Sequence, residues 1–286
     1  MTDYLSTSWC GLDWSPWARH THSKTEFAVL PDEPGLYRVR AIDADSLMYI
    51  GQTGRSVRQR QRDLRVYLRN PELMPFNDPH TAAPNFWAWT DATGMEFESS
   101  GAVFYGTKQE REGLETYLLW QYRLERGTST QCNFGRFHED YVQSRNHSTG
   151  IRGGKLPGGT KNPAGGLSLP PLQSYGRPAG PDWMELPWEE PLPLQPDSIK
   201  SIKNTASLYR ILDTKCKDVL YIGQTRTAKT RLNAHAKRNR GEKCFFSICF
   251  EDSAILPHQL KELENDLIGA YYAEKGRIPV FQIGGK

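Results

Sequence analysis

Short apolar runs recur along the chain twice in the same order. Around 36–53, "LYRVRAI" is followed by a brief polar turn and then "LMYIGQT"; around 207–225, "SLYRILD" is followed by a polar turn and "VLYIGQT". β-Branched and aromatic runs bounded by Gly, Asp and Ser predict an antiparallel hairpin in each place. After each hairpin basic residues take over, and their spacing predicts helices over about 56–69 and 228–240. Strands are then expected at "FWAWT" and "MEFESSGAVF" in the first segment and at "CFFSICFED" in the second. Each segment closes on a longer helical pattern. In "EREGLETYLLWQYRLER" the apolar side is Leu114, Tyr117, Leu118, Tyr122 and Leu124; in "PHQLKELENDLIGAYYAEK", Pro257 suits a first turn and Gly276 a stop.

The similarity extends beyond the hairpins. Tyr49 and Tyr221 lie 172 positions apart (221 − 49), as do Tyr37 and Tyr209. Upstream, "WCGLDWSPW" is matched by "WMELPWEEP", pairing Trp9 with Trp183, Leu12 with Leu186 and Trp14 with Trp188. A module is therefore duplicated, each copy an α+β unit with a Trp-rich lead-in. The expected units are 1–147 and 183–286. The Gly/Pro-rich stretch 148–182 between them reads as a linker without a packed core of its own. The tryptophans are expected in packing, as a brace before each hairpin, ahead of base stacking.

With 24% charged and 37% hydrophobic residues and a mean hydropathy of −0.65, the chain reads as soluble and globular. No run approaches the ~20 apolar residues of a membrane helix, and the first residues lack a secretory pattern. The five cysteines have no CxxC spacing, which argues against disulfides or structural zinc and for a reducing, cytoplasmic setting. Net charge is only +3, but its distribution is uneven. Arg55, Arg58, Arg62, Arg65 and Arg69 step by three and four, a stripe on one helix face that an anion would relieve. Phosphate binding is expected there, with Lys237 and Arg238 at the end of the second basic helix and Arg152 and Lys155 among the linker glycines.

The second copy also brings chemistry together. Arg231 and His235 are one helical turn apart, Tyr209 and Tyr221 lie on paired strands, and Glu264 has Leu263, Leu267 and Ile268 around it. Phosphodiester hydrolysis needs a proton acceptor for water, a cation facing the phosphorane and a carboxylate for a divalent metal. Tyr, Arg, His and Glu meet that list.

The order "SLY…LYIGQT…R…H…E" resembles the GIY-YIG nuclease superfamily. The resemblance implies a three-stranded antiparallel sheet flanked by helices and metal-dependent hydrolysis, with Mg²⁺ or Mn²⁺ as the ion. In the second copy it assigns catalytic positions to Tyr209, Tyr221, Arg231 and His235, and the metal to Glu264. The family's late Asn falls on Gln282 in "PVFQ". In the first copy it assigns Tyr37, Tyr49, Arg60, Asn133 and, for the metal, Glu115. Leu64 stands where the helical His should be. Tyr67, one turn on, and His80, in a loop where a core role is not expected, are the substitutes, with His80 favoured.

The implied function is cleavage of double-stranded DNA. The two copies would act as a pseudo-dimer within one monomer, in a restriction-like or host-defence role. Three alternatives stay open: one live site beside a DNA-gripping unit, a repair or structure-specific nuclease, and a nucleic-acid-binding protein that no longer cuts.

Overall fold

The computed structural model describes residues 3–42, 44–238 and 244–282. It is α+β and divides into two compact units, Met1–Ser168 and Leu169–Lys286. Among the described residues no helix is long and apolar enough to cross a membrane.

The first unit runs β1 (Ala18–Arg19), β2 (Gly35–Ala41), β3 (Leu47–Thr53), α1 (Val57–Leu64), α2 (Ala83–Thr93), β4 (Phe97–Val103), α3 (Lys108–Arg126), β5 (Tyr141–Val142) and β6 (Gly154–Lys155). Its main sheet is antiparallel in the order β1-β4-β2-β3. The second unit runs β7 (Leu192–Pro193), α4 (Pro196–Ser201), β8 (Ser207–Leu212), β9 (Val219–Thr225), α5 (Ala228–Lys237), β10 (Phe245–Phe250) and α6 (Pro257–Lys275). Its sheet has the matching order β7-β10-β8-β9.

The hairpins share one register. Tyr37 faces Gly51 and Val39 faces Tyr49; Tyr209 faces Gly223 and Ile211 faces Tyr221. Each hairpin shifts register beside its turn, at Val39/Arg40 and at Ile211/Leu212. β2 and β8 are central strands covered on both faces, so nearly every residue is buried and the usual in–out alternation is absent. Each sheet has four strands rather than the expected three, because a two-residue piece of the lead-in adds to the outer strand.

Several expectations change. "FWAWT" lies inside α2, not in a strand: Pro84 opens the helix and Gly94, at φ 72°, caps it. A continuous apolar run carries no period that separates strand from buried helix. The basic helix of the first unit ends at Leu64 and continues as a 3₁₀ turn to Leu68. In the second unit α5 ends at Lys237, and residues 239 and 240 of the expected helix lie outside the described residues. The Gly/Pro-rich stretch is split between the units at Ser168/Leu169. Its first part is held to the first unit by pairing of β5 with β6 and by Phe137 N–H donating to Ala164 O at 3.1 Å.

The Trp lead-in is a brace repeated to the level of single bonds. Trp9 and Trp14 lie 6.0 Å apart, and so do Trp183 and Trp188. The indole N–H of Trp14 donates to Trp9 O at 3.1 Å, and that of Trp188 to Trp183 O at 2.9 Å. The residue after the first Trp is left-handed in both, Cys10 at φ 52° and Met184 at φ 57°. An arginine of the central strand completes each brace. Arg38 stacks 4.3 Å from the Trp14 ring and Arg210 4.3 Å from the Trp188 ring. Arg38 donates to the carbonyls of Tyr4, Leu5 and Ser6, and Arg210 to those of Pro178 and Gly180. Burial lowers Arg38 to about 9 and Arg210 to about 10, and backbone carbonyls accept from both cations.

Candidate active sites

In the second unit the register of β8 and β9 sets Tyr209 and Tyr221 side by side, with ring centroids 5.9 Å apart. Helix α5 then presents Arg231 and, one turn later, His235. The Tyr209 hydroxyl lies 3.0 Å from His235 Nε2 and accepts from Arg231 Nε at 3.0 Å. Arg231 Nη2 donates to the Tyr221 hydroxyl at 3.1 Å, so one guanidinium bridges both phenols. Those hydrogen bonds, that to Tyr209 foremost, hold Arg231 firmly charged. Burial raises the Tyr209 phenol above its ordinary value, and Arg231 works against that rise.

Glu264, on α6, accepts from Gln224 N–H at 3.2 Å, and burial pushes its carboxyl up to about 7. Gln282 binds β9 rather than the phenols. Its Oε1 accepts from Ile222 N–H at 3.0 Å and its Nε2 donates to Ile222 O at 2.8 Å.

The first unit builds the same arrangement from different parts. Tyr37 and Tyr49 stand 6.0 Å apart, and the Tyr37 hydroxyl lies 3.0 Å from His80 Nε2. His80 is fully buried rather than on a surface loop, and burial holds its pKa well below the usual imidazole range. The N–H of Ala82 donates to His80 Nδ1 at 3.2 Å. An accepting Nδ1 on a neutral ring places the ring proton on Nε2, which donates to Tyr37.

Arg60 donates to Pro79 O at 2.7 Å, which ties α1 to the segment that delivers His80. Burial pushes the Tyr37 phenol up to about 12, and Arg60 is the chief influence opposing it. Glu115, on α3, is pushed up to about 8 by burial, with Glu112 adding and Arg60 opposing. Asn133 repeats the bonds of Gln282: its Oδ1 accepts from Ile50 N–H at 3.0 Å and its Nδ2 donates to Ile50 O at 2.8 Å. Thr130 Oγ1 donates to the same Oδ1 at 2.7 Å and fixes which amide end faces inward.

Tyr67 is not part of this site. It is buried against Phe86 and Phe97, and its hydroxyl meets His20 at 3.4 Å.

Two residues at the centre were passed over in the sequence. A Cβ on Gly51 would lie 2.5 Å from the Tyr37 hydroxyl, and one on Gly223 would lie 2.5 Å from that of Tyr209. Glycine is needed for the first tyrosine's ring to cross the second strand. The signal was present in the pairing of Gly with the first Tyr across both hairpins.

The arginine stripe is largely turned inward. Arg65 is buried and donates to Thr21 O at 2.8 Å and His22 O at 3.0 Å. Arg58 donates to Leu30 O at 2.8 Å and Ala28 O at 3.2 Å and pairs with Asp32. The irregular segment before β2 lacks ladder partners for these carbonyls, and the arginines supply them. Arg62 is half-buried; Arg55 and Arg69 are exposed, Arg55 lying 3.8 Å from Asp63. Arg152 stacks 4.2 Å from the Phe76 ring, while Lys155, Lys237 and Arg238 are exposed.

Comparison with family models, with curated proteins and with solved structures returns no match. Among the described residues no three His, Cys, Asp or Glu side chains converge as a ready-made metal cage.

Proposed function

We propose that this chain is a metal-dependent DNA endonuclease with a GIY-YIG-type hydrolytic site in each of its two units. The observation that carries the reading is the double occurrence of one constellation. Each unit has a first-strand tyrosine hydroxyl 3.0 Å from a histidine Nε2, a second tyrosine beside it, an arginine, and a desolvated glutamate on the final helix. A packing role for buried tyrosines does not call for this repetition, since His80 and His235 reach it from unrelated segments.

The residues fit a divalent cation of the Mg²⁺ kind. Glu115 and Glu264 are carboxylates that burial makes costly to ionise, and a hard cation with oxygen ligands offsets that cost. Mg²⁺ is commonly held by one or two carboxylates with substrate phosphate and water completing its shell, which suits a single glutamate per site. When bound, such an ion supplies Lewis acidity and makes a coordinated water more acidic.

The chain's own groups do the rest. Arg231, bonded to both phenols, sets their orientation and faces the added negative charge of a pentavalent phosphate. Once the Tyr37 phenol has released its own proton to solvent, the Nε2–H of His80 would stabilise the phenolate, which would take the proton of attacking water. His235 Nε2 stands at the same 3.0 Å from the Tyr209 hydroxyl. Gln282 and Asn133 fix the strand that carries the second tyrosine and are positioning residues.

One site per unit gives one site per DNA strand, the requirement for cutting a duplex within one chain. The segment 69–96, which has no counterpart of similar length in the second unit, offers a place for target reading, in line with a restriction or defence enzyme. The test is incubation of the full chain with supercoiled plasmid and Mg²⁺. Linear product supports the reading, and intact plasmid with Mg²⁺ and Mn²⁺ refutes it.

A further inference from the structure

We propose that a pocket beside the first site receives one unstacked nucleobase of the bound DNA, an inference that rests on the nuclease reading above. The pocket, of about 220 Å³, is lined in part by Tyr49, Ala82, Asn85, Asn133, Phe134 and Gln143. It shares Tyr49 and Asn133 with the site, so an occupant adjoins the reacting phosphate.

The lining selects the ligand's chemistry. Among the described residues no carboxylate lines the pocket, and the one cation there, Arg136, is engaged elsewhere. Arg136 donates to Ser168 Oγ at 2.9 Å, Ser129 O at 3.2 Å and Gly166 O at 3.3 Å. An ammonium group therefore finds no counter-charge, and the Nη donors of Arg136 are spent on neutral oxygens of the protein rather than on the pocket. What remains is polar, neutral and aromatic, from Tyr49 and Phe134. Asn85 is 2% exposed and donates through Nδ2 to Arg136 O at 2.8 Å, while its Oδ1 is buried without a partner. A buried acceptor without a donor is destabilising, and a ligand N–H relieves it. An uncharged planar group with an N–H edge, stacked on an aromatic face, is a nucleobase.

The pocket draws on a segment that belongs to the first unit. Ala82 and Asn85 come from the segment 69–96 between α1 and β4, whereas only residues 238–244 join α5 to β10. The same segment supplies His80, so base capture and site assembly are physically linked there.

The experiment uses the full chain without divalent metal and measures binding to three short duplexes by fluorescence anisotropy. One is perfectly paired, one carries a single bulged nucleotide and one carries a bulged abasic site. An extrahelical base has its unstacking already met, so the bulged duplex should bind about tenfold tighter than the abasic one. Asn85→Leu should abolish that preference and leave perfect-duplex affinity unchanged. Gln143→Trp, at the exposed mouth, should do the same without touching the buried Asn85 bond, with thermal unfolding as the folding control. Equal affinity for base and abasic bulges, while all duplexes are bound, overturns the pocket and leaves the nuclease reading standing. Failure to bind any duplex overturns both.

Discussion

His80 and His235 occupy one chemical position from two different scaffolds. Each places Nε2 3.0 Å from the hydroxyl of its unit's first tyrosine, His235 from a helix and His80 from the segment before α2. The helical position that His235 uses is filled in the first unit by the buried apolar Leu64.

Loss of either imidazole should therefore be costly and local. In a Glu264→Ala background, where only the first unit cuts, His80→Ala should lower the nicking rate about 10²–10³-fold, the range for a lost hydrogen-bond donor to a developing anion. Tyr67→Phe in the same background should leave the rate unchanged, because that hydroxyl faces His20. A silent His80→Ala with a damaging Tyr67→Phe would reverse the assignment.

The glycine after Tyr-Ile is a steric requirement. Gly51→Ala and Gly223→Ala push a methyl into the first tyrosine's ring, whose Cζ would lie 2.5 Å away in either unit. Each should destabilise its unit by about 1–3 kcal/mol, as overpacking does, and silence that unit's cleavage. Urea unfolding and single-strand nicking assays separate the two effects.

The glutamates predict a pH dependence of the metal-free protein. Glu115 rises from an ordinary 4.5 to about 8 and Glu264 to about 7, so the folded state holds protons the unfolded chain releases. Their contribution to stability is full below about pH 4.5 and is lost as pH rises through 7 and 8. The melting temperature of the metal-free chain should fall over that window, less steeply in Glu115→Gln. Mg²⁺ should restore it most at the alkaline end, where no proton competes. A melting temperature that rises from pH 5 to 8 without metal contradicts this.

Removing the arginine of a brace should unfold more than it disarms. Arg38→Leu leaves the carbonyls of Tyr4, Leu5 and Ser6 without that donor, at about 1–3 kcal/mol for each group left buried and unsatisfied. The expected result is a lower urea midpoint for the first unit, with the cleavage by the second unit retained at low temperature.

Much of the fold was legible because the chain states it twice. The identical Tyr-Ile-Gly-Gln-Thr fixed the strand pairing, and Pro257 and Gly276 bound the last helix. The tyrosines, Arg231, His235 and Glu264 followed from spacing on elements of regular geometry. The carbonyl partners of Arg58 and Arg65 were not legible, because helical spacing reports which residues share a face, not which carbonyls wait opposite. "FWAWT" was misread because an unbroken apolar run has no period. Gln282 looked like a departure from Asn, yet it clasps Ile222 as Asn133 clasps Ile50. The pocket at Asn85 was not legible at all, since it is assembled from segments distant in sequence.

The most direct measurement compares plasmid products of four proteins in Mg²⁺: the parent chain, Glu115→Ala, Glu264→Ala and the double variant. Two working sites predict linear DNA from the parent, nicked circles from each single variant and intact plasmid from the double variant. Linear DNA from both single variants at the parental rate would contradict a pair of glutamate-dependent sites, one in each unit.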